Sequence, residues 1–400
     1  MSLKYGEIIK QMSLEEKALM MSGKNTWETV DFEKYGIPSM AMSDGPHGLR
    51  RQAGAGDHLG LNASLPATCF PTAATIANSW DEKLGEEIGT ALAEEAVTMD
   101  VNVILGPGLN IKRSPLCGRN FEYFSEDPYH AGKMAAAYVK GIQSKGISAC
   151  PKHFAANSQE LRRMASDSVV DERTFREIYT TGFEIAVKEG KSKSIMSSYN
   201  EVNGVYANEN RHMLQEILVD EWGFDGIVLS DCGAIADFYR DYGHKTHPDA
   251  ESASAVAVLS GTDLECGSSY EALVEAVKQG KIDEKAVDVA VKRLLTARFA
   301  LGEMDEPEKV SWTGIPFSVV ASAGHDSLAL DMARKSMTLL MNKDNTLPLK
   351  RGGLTVAVMG PNANDSVMQW GNYNGMPPHT VTILDGIRKA LGTDDRLIYE

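Results

Sequence analysis

The stretch Gly223-Phe-Asp-Gly-Ile-Val-Leu-Ser-Asp-Cys-Gly-Ala234 decides the fold. Three apolar residues, Ile227, Val228 and Leu229, run directly into Asp231 and a loop that contains glycine. In α/β folds, ligand-binding groups lie at the carboxyl ends of buried strands, where a carboxylate is partly desolvated yet open to a ligand. Asp231 is therefore the candidate catalytic residue. Taken alone, the stretch fits a turn-capping role for this aspartate better, because Asp is common at turns and caps.

The same pattern of a short apolar run that ends in polar residues, Gly or Pro recurs along the chain, at 38–46, 101–108, 146–154 and 194–200. Segments with helical periodicity lie between and after these runs, at 81–99, 128–145, 173–189, 209–222 and 284–301. Alternating strands and helices indicate an α/β protein with a parallel sheet, and this many units predict a TIM-type (β/α)8 barrel. The strand ends of such a barrel meet at one rim. The residues expected to converge there are Asp44, Lys152, His153, Tyr199 and Asp231.

Composition limits the classes of partner. The chain has 400 residues, 43% of them hydrophobic, and a formal net charge of -15. This length suits two domains, or one barrel with an appendage. The negative charge opposes binding to nucleic acid. No run of about 18 apolar residues occurs, so we expect no membrane span. The first residues lack the apolar segment of a secretory signal, so a cytoplasmic location is expected.

The cysteines and histidines show no metal-binding or disulfide pattern. The cysteines are odd in number, widely spaced and without a Cys-x-x-Cys pair, which predicts free thiols at Cys69, Cys117, Cys150, Cys232 and Cys266. No HExxH or equivalent spacing occurs among the histidines. We therefore expect neither a metal nor another cofactor.

A long loop rich in Gly, Pro, charged and aromatic residues spans 103–128. Loops without secondary structure beyond about 12–15 residues are usually functional or disordered, and the aromatic content argues against disorder. Its glycines lack the spacing of a phosphate-binding loop. Arg119, Glu122 and Asp127 are instead predicted to form a hydrogen-bonding lattice, because the planar donors of Arg suit carboxylates and vicinal hydroxyls.

Lys152 and His153 are adjacent at the end of a predicted strand. Neighbouring side chains of a regular strand point to opposite faces, so both can face one ligand only where the chain leaves regular pleating. Pro151 favours such a departure. An exposed Lys beside a core His is the open alternative. A catalytic serine is less favoured, because Ser230 does not lie in a Gly-x-Ser-x-Gly elbow.

Together, these segments resemble the successive motifs of glycoside hydrolase family 3, the β-glucosidase and β-xylosidase family. The six motifs, in order, are SDGPHG at 43–48, GPGLNIKR at 106–113, GRNFEYFSEDP at 118–128, KHFAAN at 152–157, SSYN at 197–200 and SD at 230–231. The resemblance implies a catalytic barrel domain over 1–302, a linker over 303–330, and the first part of an α/β sandwich domain, apparently incomplete, over 331–400. A strand is expected at 354–360.

For the site, the resemblance implies a retaining glycosidase, which uses one carboxylate as nucleophile and a second carboxyl group as acid. By motif match, Asp231 is the nucleophile, and nearby cations are expected to hold it ionised. The residues expected to bind the substrate are Asp44, Arg50, Arg119, Lys152, His153, Arg163, Met196 and Tyr199.

The sugar is less clearly indicated. Cys232 stands where the family's glucosidases usually carry Trp, and it resembles the xylosidase branch, as does the segment 370–377. Asp44 resembles the glucosidase branch. The expected substrate is a small neutral oligosaccharide or glycoside with a terminal β-D-glucosyl residue. The alternatives are a β-xylosidase or dual enzyme and, in another class, a sugar-binding remnant without hydrolytic activity.

No carboxylate in the second domain stands in a motif that matches the family's general acid. We therefore expect this Glu beyond residue 400, in a remainder of the sandwich domain that is either continuous with this chain or a separate one. A homo-oligomer is also compatible with the sequence.

Overall fold

The computed structural model describes residues 2–400. Its strands are β1 (Met42–Ser43), β2 (Val103–Ile104), β3 (Ser148–Ala149), β4 (Asp167–Ser168), β5 (Ser194–Met196), β6 (Glu201–Val202), β7 (Val205–Tyr206), β8 (Ile227–Leu229), β9 (Thr355–Val358) and β10 (Arg396–Tyr399). Its α-helices are α1 (Ser2–Gln11), α2 (Leu14–Met20), α3 (Ala73–Ala77), α4 (Glu82–Thr98), α5 (Pro128–Gln143), α6 (Glu172–Thr174), α7 (Thr181–Lys188), α8 (Ala234–Asp237), α9 (Ala250–Ser260), α10 (Leu273–Lys278), α11 (Glu284–Ala300), α12 (Ala323–Lys335) and α13 (Ile383–Ala390). Two π-helical segments cover Phe175–Thr180 and His212–Glu221.

Short parallel strands form the barrel. β1 pairs with β2, β2 with β3, and β5 with β8, all in parallel. Parallel bridges from Phe154 to Ser197 and from Leu229 to Leu264 extend the ring on both sides of these pairs. Helices alternate with the strands, so the chain has the predicted α/β class and TIM-type barrel. The helical segments predicted from periodicity are confirmed, although 173–189 and 209–222 contain π-helical turns.

The outer helices follow simple local rules. Asp81 caps α4 by accepting a hydrogen bond from the Leu84 amide at 3.0 Å. Leu84, Ile88 and Leu92 lie four residues apart and are all buried. Because residues at this spacing share one face of a helix, α4 presents an apolar stripe to the barrel.

Asp127 has a different role from the predicted one. Its carboxylate caps α5, where Oδ1 accepts a hydrogen bond from the His130 amide at 2.8 Å. Pro128 occupies the first turn of the helix, where its missing N–H leaves no donor unsatisfied. The lattice predicted for the long loop therefore keeps Arg119 and Glu122 and loses Asp127.

The prediction that all five cysteines are free thiols is wrong for two of them. Cys232 and Cys266 form a disulfide, with their Cα atoms 4.5 Å apart. The cause is the parallel bridge between Leu229 and Leu264, which brings the two strand ends side by side. The other cysteines, Cys69, Cys117 and Cys150, are unpaired.

The segment after the barrel docks on it through α12. Met332 of this helix is fully buried in one hydrophobic cluster with residues of α3 and α4. The predicted boundary at residue 330 therefore falls inside a packed helix. Beyond it, β9 pairs in parallel with β10, and α13 lies between these two strands in the sequence. This pair confirms the strand predicted at 354–360.

Within residues 2–400, no helix has both the length and the apolar character needed to cross a bilayer.

A buried polar cluster fixes α12 to the barrel. Glu95 of α4 is fully buried and accepts hydrogen bonds from the Thr68 amide at 3.0 Å and the Ala321 amide at 3.1 Å. His325 Nδ1 lies 2.8 Å from Glu95 Oε1, and its Nε2 lies 3.4 Å from Glu94 Oε2. Burial disfavours the imidazolium, but the two glutamates outweigh it and raise the pKa of His325.

We expect His325→Ala to destabilise the fold in a pH-dependent way. The folded pKa lies above the unfolded value of about 6.5, so the stabilisation is complete below about pH 6 and is lost as pH rises through the folded pKa. Thermal unfolding should show a gap in Tm between wild type and variant that is largest near pH 6 and smaller near pH 9. A gap that is constant with pH would contradict this assignment. Exposed His379, changed to Ala, serves as the control and should leave Tm unchanged.

Candidate active site

Asp231 lies in a buried position directly after β8. The backbone N–H of Cys232 donates to its Oδ1 at 2.8 Å. Its Oδ2 lies 3.6 Å from His153 Nε2 and, among the described residues, has no hydrogen-bond partner. One oxygen is therefore held by the backbone, and the other is buried without a hydrogen-bond partner among the described residues.

The pKa of Asp231 differs in direction from the prediction that nearby cations hold this carboxylate ionised. Burial raises the pKa of this carboxyl group, while the charges of Arg119, Arg163 and Lys152 lower it. The net direction is upward, so the cations offset burial without overcoming it. Burial is therefore the dominant influence on this carboxyl group.

His153 is neutral in this environment. Burial lowers its pKa well below the usual value, and Arg119 and Lys152 lower it further. Its Nδ1 contacts the Tyr123 hydroxyl at 3.2 Å, and its backbone N–H donates to Asn110 Oδ1 at 2.7 Å. β3 ends at Ala149, so Lys152 and His153 lie beyond the regular strand, where both side chains reach the site.

A second cluster surrounds Asp44. Its Oδ2 accepts from Arg50 Nη2 at 2.7 Å, and its Oδ1 lies 3.5 Å from Lys152 Nζ. Lys152 Nζ is also 4.0 Å from Glu122 Oε2. Burial acts to lower the pKa of Lys152, but Asp44 and Glu122 outweigh it and raise the pKa. Lys152 is therefore charged, and Asp44 lies between two cations.

Two arginines, Arg119 and Arg163, are joined through Glu160. Arg119 Nε donates to Glu122, and its Nη1 lies 3.8 Å from Glu160 Oε1. Arg163 Nη1 donates to Glu160 Oε2 at 2.9 Å, and its guanidinium stacks 4.4 Å above the Tyr199 ring. The Tyr199 hydroxyl donates to the carbonyl of Cys232, next to Asp231. Glu160 therefore links both arginines.

Met196 is the one predicted substrate-binding residue that lies apart from this polar set. It is buried on β5 in the apolar interior of the barrel, in one cluster with Met42 and Leu229. Its position is that of a core residue near the strand ends. The structure brings together the other predicted residues, which are Asp44, Arg50, Arg119, Lys152, His153, Arg163, Tyr199 and Asp231.

Sequence reasoning missed Tyr373, which reaches the site from the second domain. Its ring centroid lies 4.3 Å from Lys152 Nζ, 5.2 Å from the Arg50 guanidinium carbon and 5.5 Å from that of Arg119. Arg119 Nη2 donates to its hydroxyl at 3.2 Å. Tyr373 lies in the segment 370–377, which the sequence indicated only as a marker of the xylosidase branch.

The backbone of the same segment is fixed to the barrel rim. The His47 amide donates to the Tyr373 carbonyl at 3.3 Å, and the Ala67 amide donates to the Met376 carbonyl at 2.9 Å. Arg50 Nη1 donates to Asn372 Oδ1 at 2.9 Å. The second domain therefore contributes residues to the cluster around Asp44.

The charges in this cluster balance. Four cationic side chains, from Arg50, Arg119, Lys152 and Arg163, are paired with carboxylates from Asp44, Glu122, Glu160 and Asp231 or act on them through space. Such a site presents many donors and acceptors without a large net charge, which suits a neutral molecule with several hydroxyl groups.

A parallel barrel with a cluster of carboxylates at the carboxyl ends of its strands defines a TIM-barrel enzyme class. Residues 4–297 match the model of the glycosyl hydrolase family 3 N terminal domain, and residues 337–397 match that of the family's C-terminal domain. The chain therefore belongs to glycoside hydrolase family 3, and the resemblance drawn from its motifs is confirmed.

Named relatives agree with this membership. The chain is 45% identical to the thermostable β-glucosidase B of Acetivibrio thermocellus, over 100% of this chain and 50% of the relative. It is 38% identical to a xylan 1,4-β-xylosidase of Xylanibacter ruminicola, over 98% of this chain and 46% of the relative. The structure of β-glucosidase 3B from Thermotoga neapolitana, in complex with glucose, matches with a TM-score of 0.82 and 32% identity, over 99% of this chain and 55% of that one. The chain thus spans about half the length of the curated relatives it matches.

We expect Tyr373→Ala to loosen the segment 370–376, because it removes the ring from three cations and the hydroxyl from Arg119. A cation–π contact is worth about 0.5–2 kcal/mol, and a hydrogen bond to a charged group about 1.5–3 kcal/mol. Hydrogen–deuterium exchange should rise across 370–376 in Tyr373→Ala and rise less in Tyr373→Phe, which keeps the ring. Exposed Tyr129, changed to Ala, is the control. Equal exchange in Tyr373→Ala and wild type would show that the ring does not hold the segment.

Proposed function

We propose that this chain carries the sugar site of a retaining β-glycosidase that hydrolyses terminal, non-reducing β-D-glucosyl residues. The observation that carries the proposal is the state of Asp231, which is buried, fixed through Oδ1 and unpartnered at Oδ2 among the described residues. A nucleophilic carboxylate needs this combination of a fixed direction and a free oxygen. The names of the family relatives, β-glucosidase and β-xylosidase, support the reaction class.

In the proposed reaction, Asp231 Oδ2 attacks the anomeric carbon and the bond to the leaving oxygen breaks, which forms a glycosyl-enzyme ester. Water then hydrolyses this ester, so the anomeric configuration is retained. The Cys232 N–H keeps Oδ1 in place during both steps. Neutral His153, whose Nε2 lies 3.6 Å from Asp231 Oδ2, donates to a sugar hydroxyl beside the reacting carbon. Its lack of charge keeps it from forming a tight ion pair with the nucleophile.

The far end of the sugar is held by Asp44 and its partners. Asp44 lies between Arg50 and Lys152, so its carboxylate is directed by two fixed cations. In the proposal it accepts hydrogen bonds from hydroxyls remote from the anomeric carbon, and Lys152 and Arg119 donate to the neighbouring ones. The leaving oxygen takes its proton from a second carboxyl group. For this acid we propose a glutamate in the part of the family's length that this chain does not span.

A β-xylosidase is the second candidate, and two observations favour it. The Tyr373 ring fills space beside Lys152 and Arg50, close to the Asp44 end of the pocket. The Cys232–Cys266 disulfide forms the wall where the family's glucosidases usually carry Trp. A pentose lacks the hydroxymethyl group of glucose and needs less room at that end. A sugar-binding protein without hydrolysis is the candidate of another class.

We expect Asp231→Asn to keep the fold and to lower the rate on an activated aryl β-glucoside by several orders of magnitude, because the amide is a poor nucleophile. An activated leaving group needs no acid, so the assay tests Asp231 alone. A 2-fluoro glucoside should label Asp231 in the wild type, as found by peptide mass spectrometry. Exposed Asp225, which precedes the same strand, provides the control as Asp225→Asn. Labelling of any other carboxylate would refute the assignment, and binding without turnover would favour the sugar-binding alternative.

We expect the specificity constant kcat/KM to be higher for the β-glucoside than for the β-xyloside. Asp44→Asn should reduce this preference, since a lost buried hydrogen bond costs about 1–3 kcal/mol, or roughly ten- to a hundredfold in kcat/KM. The comparison needs nitrophenyl glycosides of both sugars with wild type and variant. A xyloside constant far above the glucoside constant in the wild type would reverse the order and establish the second candidate.

A further inference from the structure

The disulfide beside Asp231 has a third potential metal ligand next to it. The ligand atoms of His58, Cys232 and Cys266 all lie within 4.8 Å of one another. His58 is exposed, Cys232 is half-buried and Cys266 is buried, so the group opens to solvent on one side. These residues lie far apart in sequence, and no sequence spacing indicates the group.

His58 is held in place by its surroundings. Its ring packs edge-on against Trp27, with centroids 5.1 Å apart, and its carbonyl accepts from Arg50 Nη2 at 3.1 Å. The cysteines are fixed by the strand ends, where the Gly233 amide donates to the Cys266 carbonyl at 2.8 Å. The backbone therefore keeps the three ligands near one another whether or not the sulfurs are bonded.

We propose that His58, Cys232 and Cys266 form a redox-dependent metal site: the disulfide state binds no ion, and the reduced dithiol binds a zinc-class divalent cation that inhibits the sugar site. Zinc takes Cys sulfur at about 2.3 Å and His nitrogen at about 2.0–2.1 Å in tetrahedral geometry. Two sulfurs bound to one tetrahedral ion are about 3.8 Å apart. After reduction, the two sulfur atoms have to separate to this distance, which is shorter than the 4.8 Å within which the ligand atoms of the group already lie. Two thiolates and one imidazole leave the fourth position to water.

The chemistry balances with a dithiol reductant. The reductant supplies two electrons and two protons, the Cys232–Cys266 bond breaks, two thiols form, and the reductant closes into its own disulfide. Binding of the cation to two thiolates and the neutral imidazole then releases two protons to solvent. A low-molecular-weight disulfide reverses the step: it accepts two electrons and is reduced to two thiols, the Cys232–Cys266 bond forms again, and the ion leaves because a disulfide sulfur is not an anionic ligand.

The position explains the inhibition. Cys232 follows Asp231 directly, donates its N–H to Oδ1, and accepts the Tyr199 hydroxyl at its carbonyl. A divalent cation on Cys232 places positive charge next to the nucleophile and fills the pocket wall. The binding of the ion does not depend on the proposed function, whereas the inhibition rests on it.

The test titrates cadmium into two samples, the oxidised protein and the reduced protein. The reduced sample is prepared with dithiothreitol, and the reductant is then removed under anaerobic conditions. The ultraviolet band of cadmium thiolate should saturate at one ion per chain in the reduced protein and be absent from the oxidised one. Cys266→Ser should abolish this band, and His58→Ala should weaken binding roughly tenfold or more. His379→Ala, at an exposed histidine outside the group, should bind as the wild type does.

Activity on an aryl β-glucoside gives the second readout. Zinc should inhibit the reduced protein, reversibly with a chelator, and leave the oxidised protein unaffected. The proposal is overturned if the reduced protein takes up no ion, if His58→Ala binds as tightly as wild type, or if zinc occupancy leaves the rate unchanged. If neither state hydrolyses any glycoside, the proposed function fails, and cadmium binding still decides whether the site exists.

Discussion

The burial of one carboxylate, Asp231, is the constraint that the rest of the site satisfies. A charge removed from water is costly unless other charges and hydrogen bonds compensate it. Positive potential at Asp231 comes from Lys152, Arg119 and Arg163. None of these side chains forms a hydrogen bond with Asp231 Oδ2, because such a bond would occupy that oxygen. They are held at a distance by carboxylates of their own, Glu122 and Glu160 among them. The pocket is therefore an ordered set of ion pairs around one free oxygen.

This constraint also connects the two parts of the chain. Tyr373 covers Lys152, Arg50 and Arg119 with an aromatic face, which stabilises cations while excluding water. The ring can do so only if its segment is held at the rim, and α12 provides one anchor through the buried Glu95–His325 pair. The second domain therefore contributes to the electrostatics of the barrel site through the Tyr373 ring.

The sequence predicted what depends on local pattern. The order of strands and helices follows from periodicity, and Asp44, Lys152, His153 and Asp231 could be named because each lies at a strand end. What it could not predict depends on contacts between distant segments. The Cys232–Cys266 pair requires two neighbouring strand ends that are 34 residues apart in sequence. The Tyr373 contacts join segments more than two hundred residues apart.

The prediction for Asp127 failed for a different reason, since a local role competed with the predicted one. Asp127 precedes Pro128 and α5, and as the helix cap it accepts a hydrogen bond from a backbone N–H of the first turn. Pairing with a distant arginine would leave that N–H without its partner. Met196, at the end of β5, lies in a buried apolar cluster, and its contact with a ligand stays a prediction. A motif identifies the segment that forms a site, but the direction of each side chain is decided by helix capping and strand pleating. Lys152 shows the limit of the motif alone, because it still forms a parallel bridge with Gly108 and yet its Nζ lies 3.5 Å from Asp44 Oδ1, whereas Met196 on β5 lies in an apolar cluster.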